Sequence, residues 1–222
     1  HYQVDLCDRT ALAQVFEEFK PTAVIHLAAR CDLEGKTLED YEVNRRGVEI
    51  LCDVISQRPS VNRAIFTSSQ LVCKVGYVPE HDTDYCPNTV YGESKVKTEE
   101  IVRARGGGNV EWCLVRPTTV WGPHMSEHYQ ALLKHIKGGT YFHSGSGALY
   151  KSYAYAENIA HQYFGLLVAP AADIHEQVFY MADYAPLSLR DYANLLADEM
   201  GARHSVTVPL PCAKVIALCG DL

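Results

Sequence analysis

Apolar residues recur along the chain in two rhythms. Leu12, Val15, Phe16 and Phe19 fall on one face of a helix that starts at Asp8 or Thr10 as N-cap and ends before Pro21, while Val4 to Leu6 reads as a strand end ahead of it. Ala23 to Ala28 is a near-continuous apolar run, the pattern of a strand buried on both faces of a parallel sheet. Helical spacing returns from Leu38 to Ser56 at Tyr41, Val48, Leu51, Cys52 and Ile55, and Pro59 closes it. A strand over 64–68, a helix over 89–105 stopped by Gly106-Gly107-Gly108, and a strand over 112–116 follow. Beyond Pro123 the spacing predicts helices over 129–137, 157–168 and 188–200, the last with Ser188 and Asp191 sharing the N-cap. A strand over 177–181 and an irregular Gly/Ser-rich hairpin or loop over 141–155 complete the pattern.

Strands alternating with helices at this rhythm argue an α/β fold built on a doubly wound parallel sheet with right-handed crossovers. The carboxyl edge of such a sheet is the expected site. The loosening after Pro123 divides the chain into a sheet domain over 1–123 and a mixed, smaller lobe over 124–222 that is interleaved with the sheet.

Composition narrows the function. The 222 residues carry 20 basic and 27 acidic side chains, a formal charge of −7, which disfavours a broad phosphate-backbone surface and so a nucleic-acid partner. Eight scattered cysteines without a Cys-x-x-Cys pair read as free thiols of a reducing cytoplasm. No apolar run approaches the roughly 18 residues of a membrane span. Residue 1 is a histidine and the chain stops in what reads as the middle of an element, so a truncated chain is expected.

The chemistry concentrates between Phe66 and Lys95. Thr67, Ser68 and Ser69 end an apolar run, and Tyr91 and Lys95 lie four residues apart on the helix that follows, one turn from each other on one face. A phenol with an ordinary pKa of about 10 is a poor base near neutrality, and a nearby ammonium is expected to lower it. Tyr91 then reads as a general acid/base, Ser69 as the hydroxyl holding the substrate oxygen, and the pair as the machinery of carbonyl/alcohol redox chemistry with a hydride carrier. His124 and His128, with Glu127 between them, lack an obvious third ligand, so no metal is expected. Cys73 and Cys86 read as packing groups, since neither has the histidine partner of a nucleophile.

Ser69, Tyr91-Gly-Glu-Ser-Lys95, Val24-Ile-His-Leu-Ala-Ala29 and Val115-Arg-Pro-Thr-Thr-Val-Trp-Gly-Pro123 together resemble the extended short-chain dehydrogenase/reductases, the NAD-dependent epimerase/dehydratase group. The resemblance implies a Rossmann-like domain and a lobe that closes over substrate. It implies Ser69, Tyr91 and Lys95 as catalytic residues, with Lys95 on the nicotinamide ribose. Asp5, Leu6, Ala28, Ala29, Arg30, Asn44, Thr67, Pro117 and Thr118 would line the cofactor, NAD in the first place and NADP as the alternative. Ser69, Gln70, Thr119 and Lys151 would face a small-molecule substrate such as a nucleotide sugar. Pairing of two copies through the Tyr91 helix is implied as well.

The departures matter as much. Family dehydratases carry Asp-Glu after the catalytic hydroxyl, whereas this chain has Gln70-Leu71, so dehydration and decarboxylation do not fit. Thr119 stands where many nucleotide-sugar members have Asn, Lys151 where they have Arg, and Cys73 where a tyrosine is common. No Gly-rich phosphate-binding turn follows a strand in these 222 residues, and by resemblance about two strand-helix units are expected upstream. Three readings stand: an epimerase or related hydride-transfer enzyme, a simple reductase or hydroxysteroid-dehydrogenase-like enzyme, and a non-catalytic module keeping the fold.

Overall fold

In the structure, a computed structural model, residues 1–125, 127–145, 147–213 and 215 are described, with Glu127 and His128 described through their backbone only. The expected chain end and Cys219 lie outside the described residues. The rest groups into two compact units, one of residues 1–118 and 157–181, the other of residues 119–156 and 182 onward. The crossing at Thr118–Thr119 precedes the division expected at Pro123, and Glu157–Met181 returns to the first unit.

The first unit carries a four-stranded parallel sheet. β1 (Ala23–His26), β2 (Arg63–Thr67) and β3 (Glu111–Pro117) pair in sequence order, and the strand Gln177–Met181 joins the far side of β3. The helix α1 (Arg9–Phe19) leads into β1, α2 (Glu42–Ser56) connects β1 to β2, and α3 (Val90–Ala104) lies between β2 and β3. Local chemistry explains their ends. The Asp8 carboxylate accepts from Thr10 N and Ala11 N at the start of α1, and Thr89 Oγ1 accepts from Gly92 N at the start of α3. A turn of Gly106, Gly107 and Gly108, all at positive φ, stops α3; a Cβ on Gly107 would lie 2.4 Å from Trp112 Cγ. The apolar faces of α1 and α2 meet the sheet in one cluster that includes Phe16, Val48, Leu51, Ile55, Phe66, Trp112 and Leu114.

Three sequence expectations fail here. The expected strand end at Val4–Leu6 is a turn in which Asp8 N donates to Asp5 O (3.0 Å) and Cys7 N to Asp5 Oδ1 (2.8 Å). A strand needs a paired ladder, and β1 pairs only with β2 among the described residues. For the same reason the run expected to continue to Ala28 leaves the sheet after His26, with Leu27 62 % exposed. Phe19 is 68 % exposed because the final turn of α1 overhangs the core that Phe16 reaches.

In the second unit the helix Glu127–Lys137 packs against Leu189–Glu199 through Leu132, Ile136, Ala193 and Ala197. The stretch 141–155, expected as a hairpin or loop, forms three short strands that pair elsewhere: Phe142–Ser144 with Val206–Val208, Tyr150–Lys151 with Leu187–Ser188, and Tyr153–Tyr155 with Thr119–Trp121. Periodicity over two or three residues cannot signal such strands.

Candidate active site

The end of β2 and the first turns of α3 build the site. Lys95 is 2 % exposed, and its Nζ donates to the Thr67 carbonyl (2.8 Å), so the amine is drawn to the strand tip from one turn along the helix that carries Tyr91. The Thr67 hydroxyl meets the Tyr163 hydroxyl at 2.6 Å. Ser69 follows, 8 % exposed, its Oγ accepting from Leu71 N (3.1 Å) and interacting with the Tyr91 phenol. Ser69, Tyr91 and Lys95 are thereby gathered in one place.

Gly92 permits that gathering. A Cβ there would lie 2.2 Å from the Leu71 carbonyl oxygen, so only a glycine lets the first turn of α3 close on the 70–72 turn that Ser69 caps. Gly92→Ala is expected to push these two segments apart and to cost about 1–3 kcal/mol of stability, read as a lower urea midpoint. An unchanged midpoint would mean that the contact is slack.

The electrostatics differ from the sequence expectation. Burial pushes the Tyr91 phenol up to about 12, an effect opposed by the Ser69 hydroxyl, and Lys95 does not bring it down. The ammonium is committed to the Thr67 carbonyl, and desolvation of the ring outweighs it. Burial lowers Lys95 itself to about 8. Between pH 8 and the ordinary 10.5 the unfolded chain therefore holds a proton that the folded chain has lost, and stability rises with pH across that window. Urea titrations are expected to show this rise, on the order of 3 kcal/mol in all, and to lose it in Lys95→Met. Equal slopes in the two proteins would contradict the assignment.

The other expected residues fall as follows. Asn44, 1 % exposed, accepts from Arg30 N (2.8 Å) and donates to Arg30 O (2.9 Å) and Ser94 Oγ (3.1 Å), so it fastens the segment after β1 to α3. Arg30 turns its guanidinium to Asp32 and the Asp40 carbonyl and lies over the ring of Tyr41, which in turn sits 5.9 Å from the Tyr91 ring. Ala28 is exposed and Ala29 half-buried on that segment. Asp5 is exposed at its turn, and Leu6 packs over Gly47. Thr118 donates from N and Oγ1 to the Met181 carbonyl, next to Pro117 at the end of β3, and Gln70 sits half-buried in the turn after Ser69. Thr119 and Lys151 belong to the second unit, where Lys151 is half-buried and burial lowers its pKa. Among the described residues no three His, Cys, Asp or Glu side chains cluster as metal ligands. No helix among them is long and apolar enough to cross a membrane.

Sequence reasoning missed four residues. Glu99, one turn past Lys95, and Arg116 of β3 form a fully buried bidentate pair at 2.9 and 2.8 Å, joined by Ser68 Oγ (2.5 Å) and the Tyr85 hydroxyl (2.9 Å). An arginine inside the otherwise apolar β3 run was the available signal. His26, 5 % exposed at the tip of β1, has both ring nitrogens unpartnered, and burial and Lys95 lower it to about 4. The Cys31 thiol acts electrostatically on both Tyr91 and Lys95. No local pattern marked either of these two.

The profile of the NAD dependent epimerase/dehydratase family matches residues 1–182. The chain belongs to that family. Among its curated relatives the chain is similar to an N-acetyl-alpha-D-glucosaminyl-diphospho-ditrans,octacis-undecaprenol 4-epimerase of Escherichia coli O157:H7, 26 % identical over 223 residues, covering 98 % of this chain and 66 % of that protein. It is also similar to 3beta-hydroxysteroid-dehydrogenase/decarboxylase isoform 1 of Arabidopsis thaliana, 24 % identical over 245 residues, covering 100 % of this chain and 53 % of that protein. This epimerase/dehydratase chain thus spans roughly half to two thirds of these curated relatives. Its fold matches the UDP-glucose 4-epimerase of Thermus thermophilus in complex with NAD, with a TM-score of 0.72 at 21 % identity over 93 % of this chain and 71 % of that one.

Proposed function

We propose that the protein carrying this chain is an NAD-dependent hydride-transfer enzyme, most simply a nucleotide-sugar epimerase, with Tyr91 as acid/base. The observation that carries the reading is the buried Lys95 amine, fixed on the Thr67 carbonyl one helical turn from Tyr91 and beside Ser69. Its donor set fits the nicotinamide-ribose end of the cofactor: an ammonium has three donors, and Thr67 takes one of them. The pyrophosphate end has no Gly-rich turn in these 222 residues. Bound, the oxidised nicotinamide would supply a hydride acceptor and a positive charge beside the phenol.

The chain's own residues do the rest. Ser69 holds the substrate oxygen, and Tyr91 exchanges its proton with that oxygen. Lys95 orients the ribose, and Asn44 keeps the flanking segment in register with α3. Gln70 and Leu71 supply no acid and base for eliminating water, which favours epimerisation over dehydration.

A net alcohol oxidation or ketone reduction by the same residues is the second reading. Thr119, standing where many nucleotide-sugar members carry Asn, and the hydroxysteroid-dehydrogenase relative favour it. Following the nicotinamide absorbance of the full-length protein separates the two. Epimerisation of a UDP-sugar leaves no net change, and steady accumulation of reduced cofactor would establish the dehydrogenase instead. Failure of NAD and NADP alike to bind would sink both.

A further inference from the structure

We propose that Cys73 and Cys86 form a reversible disulfide that staples the two arms of the loop between Ser69 and Tyr91. Cys86 N donates to Val72 O (3.0 Å) and Lys74 N donates to Cys86 O (2.7 Å), a parallel bridge in which Cys73 and Cys86 are the paired positions. Paired positions on neighbouring strands lie roughly 4.8 Å apart with their side chains on the same face, inside the Cα separation of about 4.4–6.8 Å that a disulfide accepts. Both thiols are free.

The intervening loop is already folded. Tyr77 OH donates to the Asp84 carboxylate (2.7 Å), Glu80 N donates to the same group (2.9 Å), and the Asp82 carbonyl accepts from the buried Arg116 (2.6 Å). Closing the bond therefore needs a small approach of two arms rather than a refolding. Cys73, 7 % exposed, donates to the Asp84 carbonyl (3.4 Å), and burial raises its pKa, so it is the slower thiol; Cys86 is half-buried and meets oxidants first.

With hydrogen peroxide as oxidant the chemistry balances in two steps. The Cys86 thiolate attacks peroxide, the O–O bond breaks, and the leaving hydroxide takes up the proton that the thiol released, so that a sulfenic acid and one water form. The Cys73 sulfur then attacks that sulfenic sulfur, the S–O bond breaks, and the hydroxyl leaves as a second water with the thiol's proton. Two thiols lose two electrons and peroxide becomes two waters.

Cys73 lies just past Gln70, and Cys86 lies five residues before Tyr91. The bond thus couples the arm behind Ser69 to the arm that leads into α3. Trypsin cuts at Lys74, so the two cysteines reside on separate peptides, 64–74 and 75–95, each with one cysteine.

The test treats the full chain with graded peroxide, alkylates the remaining thiols and maps the peptides by mass spectrometry. The expected result is a joined 64–74/75–95 species, lighter by two hydrogens and released by dithiothreitol, with Cys73→Ser leaving a sulfenic acid on Cys86 that dimedone traps. Peroxide that leaves both thiols alkylatable overturns the proposal. So does oxidation of Cys86 to the sulfinic acid without a joined peptide, or dimedone capture on Cys73 in Cys86→Ser as fast as on Cys86 in Cys73→Ser.

Discussion

Tyr91→Phe is expected to lower turnover of the full-length enzyme by about 10²–10⁴-fold, the range a positioned general acid/base supplies. The substitution removes one oxygen from a ring that is 9 % exposed and packed against Tyr41, so the fold should persist and NAD affinity should change little. Because burial holds the phenol at about 12, Tyr91 is a proton donor at neutral pH in the free protein. It becomes a base only where positive charge collects next to it, which ties its activity to occupancy of the nicotinamide site. Steady-state rates at saturating cofactor, with circular dichroism as the folding control, check this. Unchanged turnover in a folded Tyr91→Phe protein would show that the proton moves through another group.

The largest stability effect is expected at Glu99. Its carboxylate and the Arg116 guanidinium are both fully buried, and each is satisfied by the other together with Ser68, Tyr85, Tyr180 and the Asp82 carbonyl. Glu99→Ala leaves a guanidinium with no counter-charge in the interior and should cost about 3–5 kcal/mol, read as a fall in the urea midpoint. Replacing both partners with apolar residues, Glu99→Leu with Arg116→Met, removes the stranded charge and should cost less than the two single changes summed. Additive losses would mean that the two groups are stabilised independently. The pair joins α3, β3 and the segment after β2, so its loss is also expected to loosen the strand tip that holds Ser69.

The long elements were legible because each buries one face at a regular period. α2, β3 and the strand Gln177–Met181 fall where the apolar spacing puts them, and the N-caps at Asp8 and Ser188 follow from side chains able to accept from the next turn. The Tyr91–Lys95 offset was legible for the same reason, since a helix fixes which residues share a face. What escaped depends on neighbours distant in sequence. Arg116 looks misplaced in an apolar strand until Glu99 is set against it. The pKa of Tyr91 was expected to fall toward an ammonium, yet it rises, because spacing reports proximity along a helix and says nothing of how much water remains around the ring. The pairing of Cys73 with Cys86 was hidden in a loop with no period to read.

The central claim is that one phenol, one buried amine and one strand-end hydroxyl exchange a substrate proton while hydride moves to or from nicotinamide. Mixing the NAD-loaded full-length protein with a UDP-sugar under single-turnover conditions and following the nicotinamide absorbance tests it most directly. A transient reduced cofactor in the wild type that is absent in Tyr91→Phe is the predicted result. Equal reduction in both proteins would contradict the account.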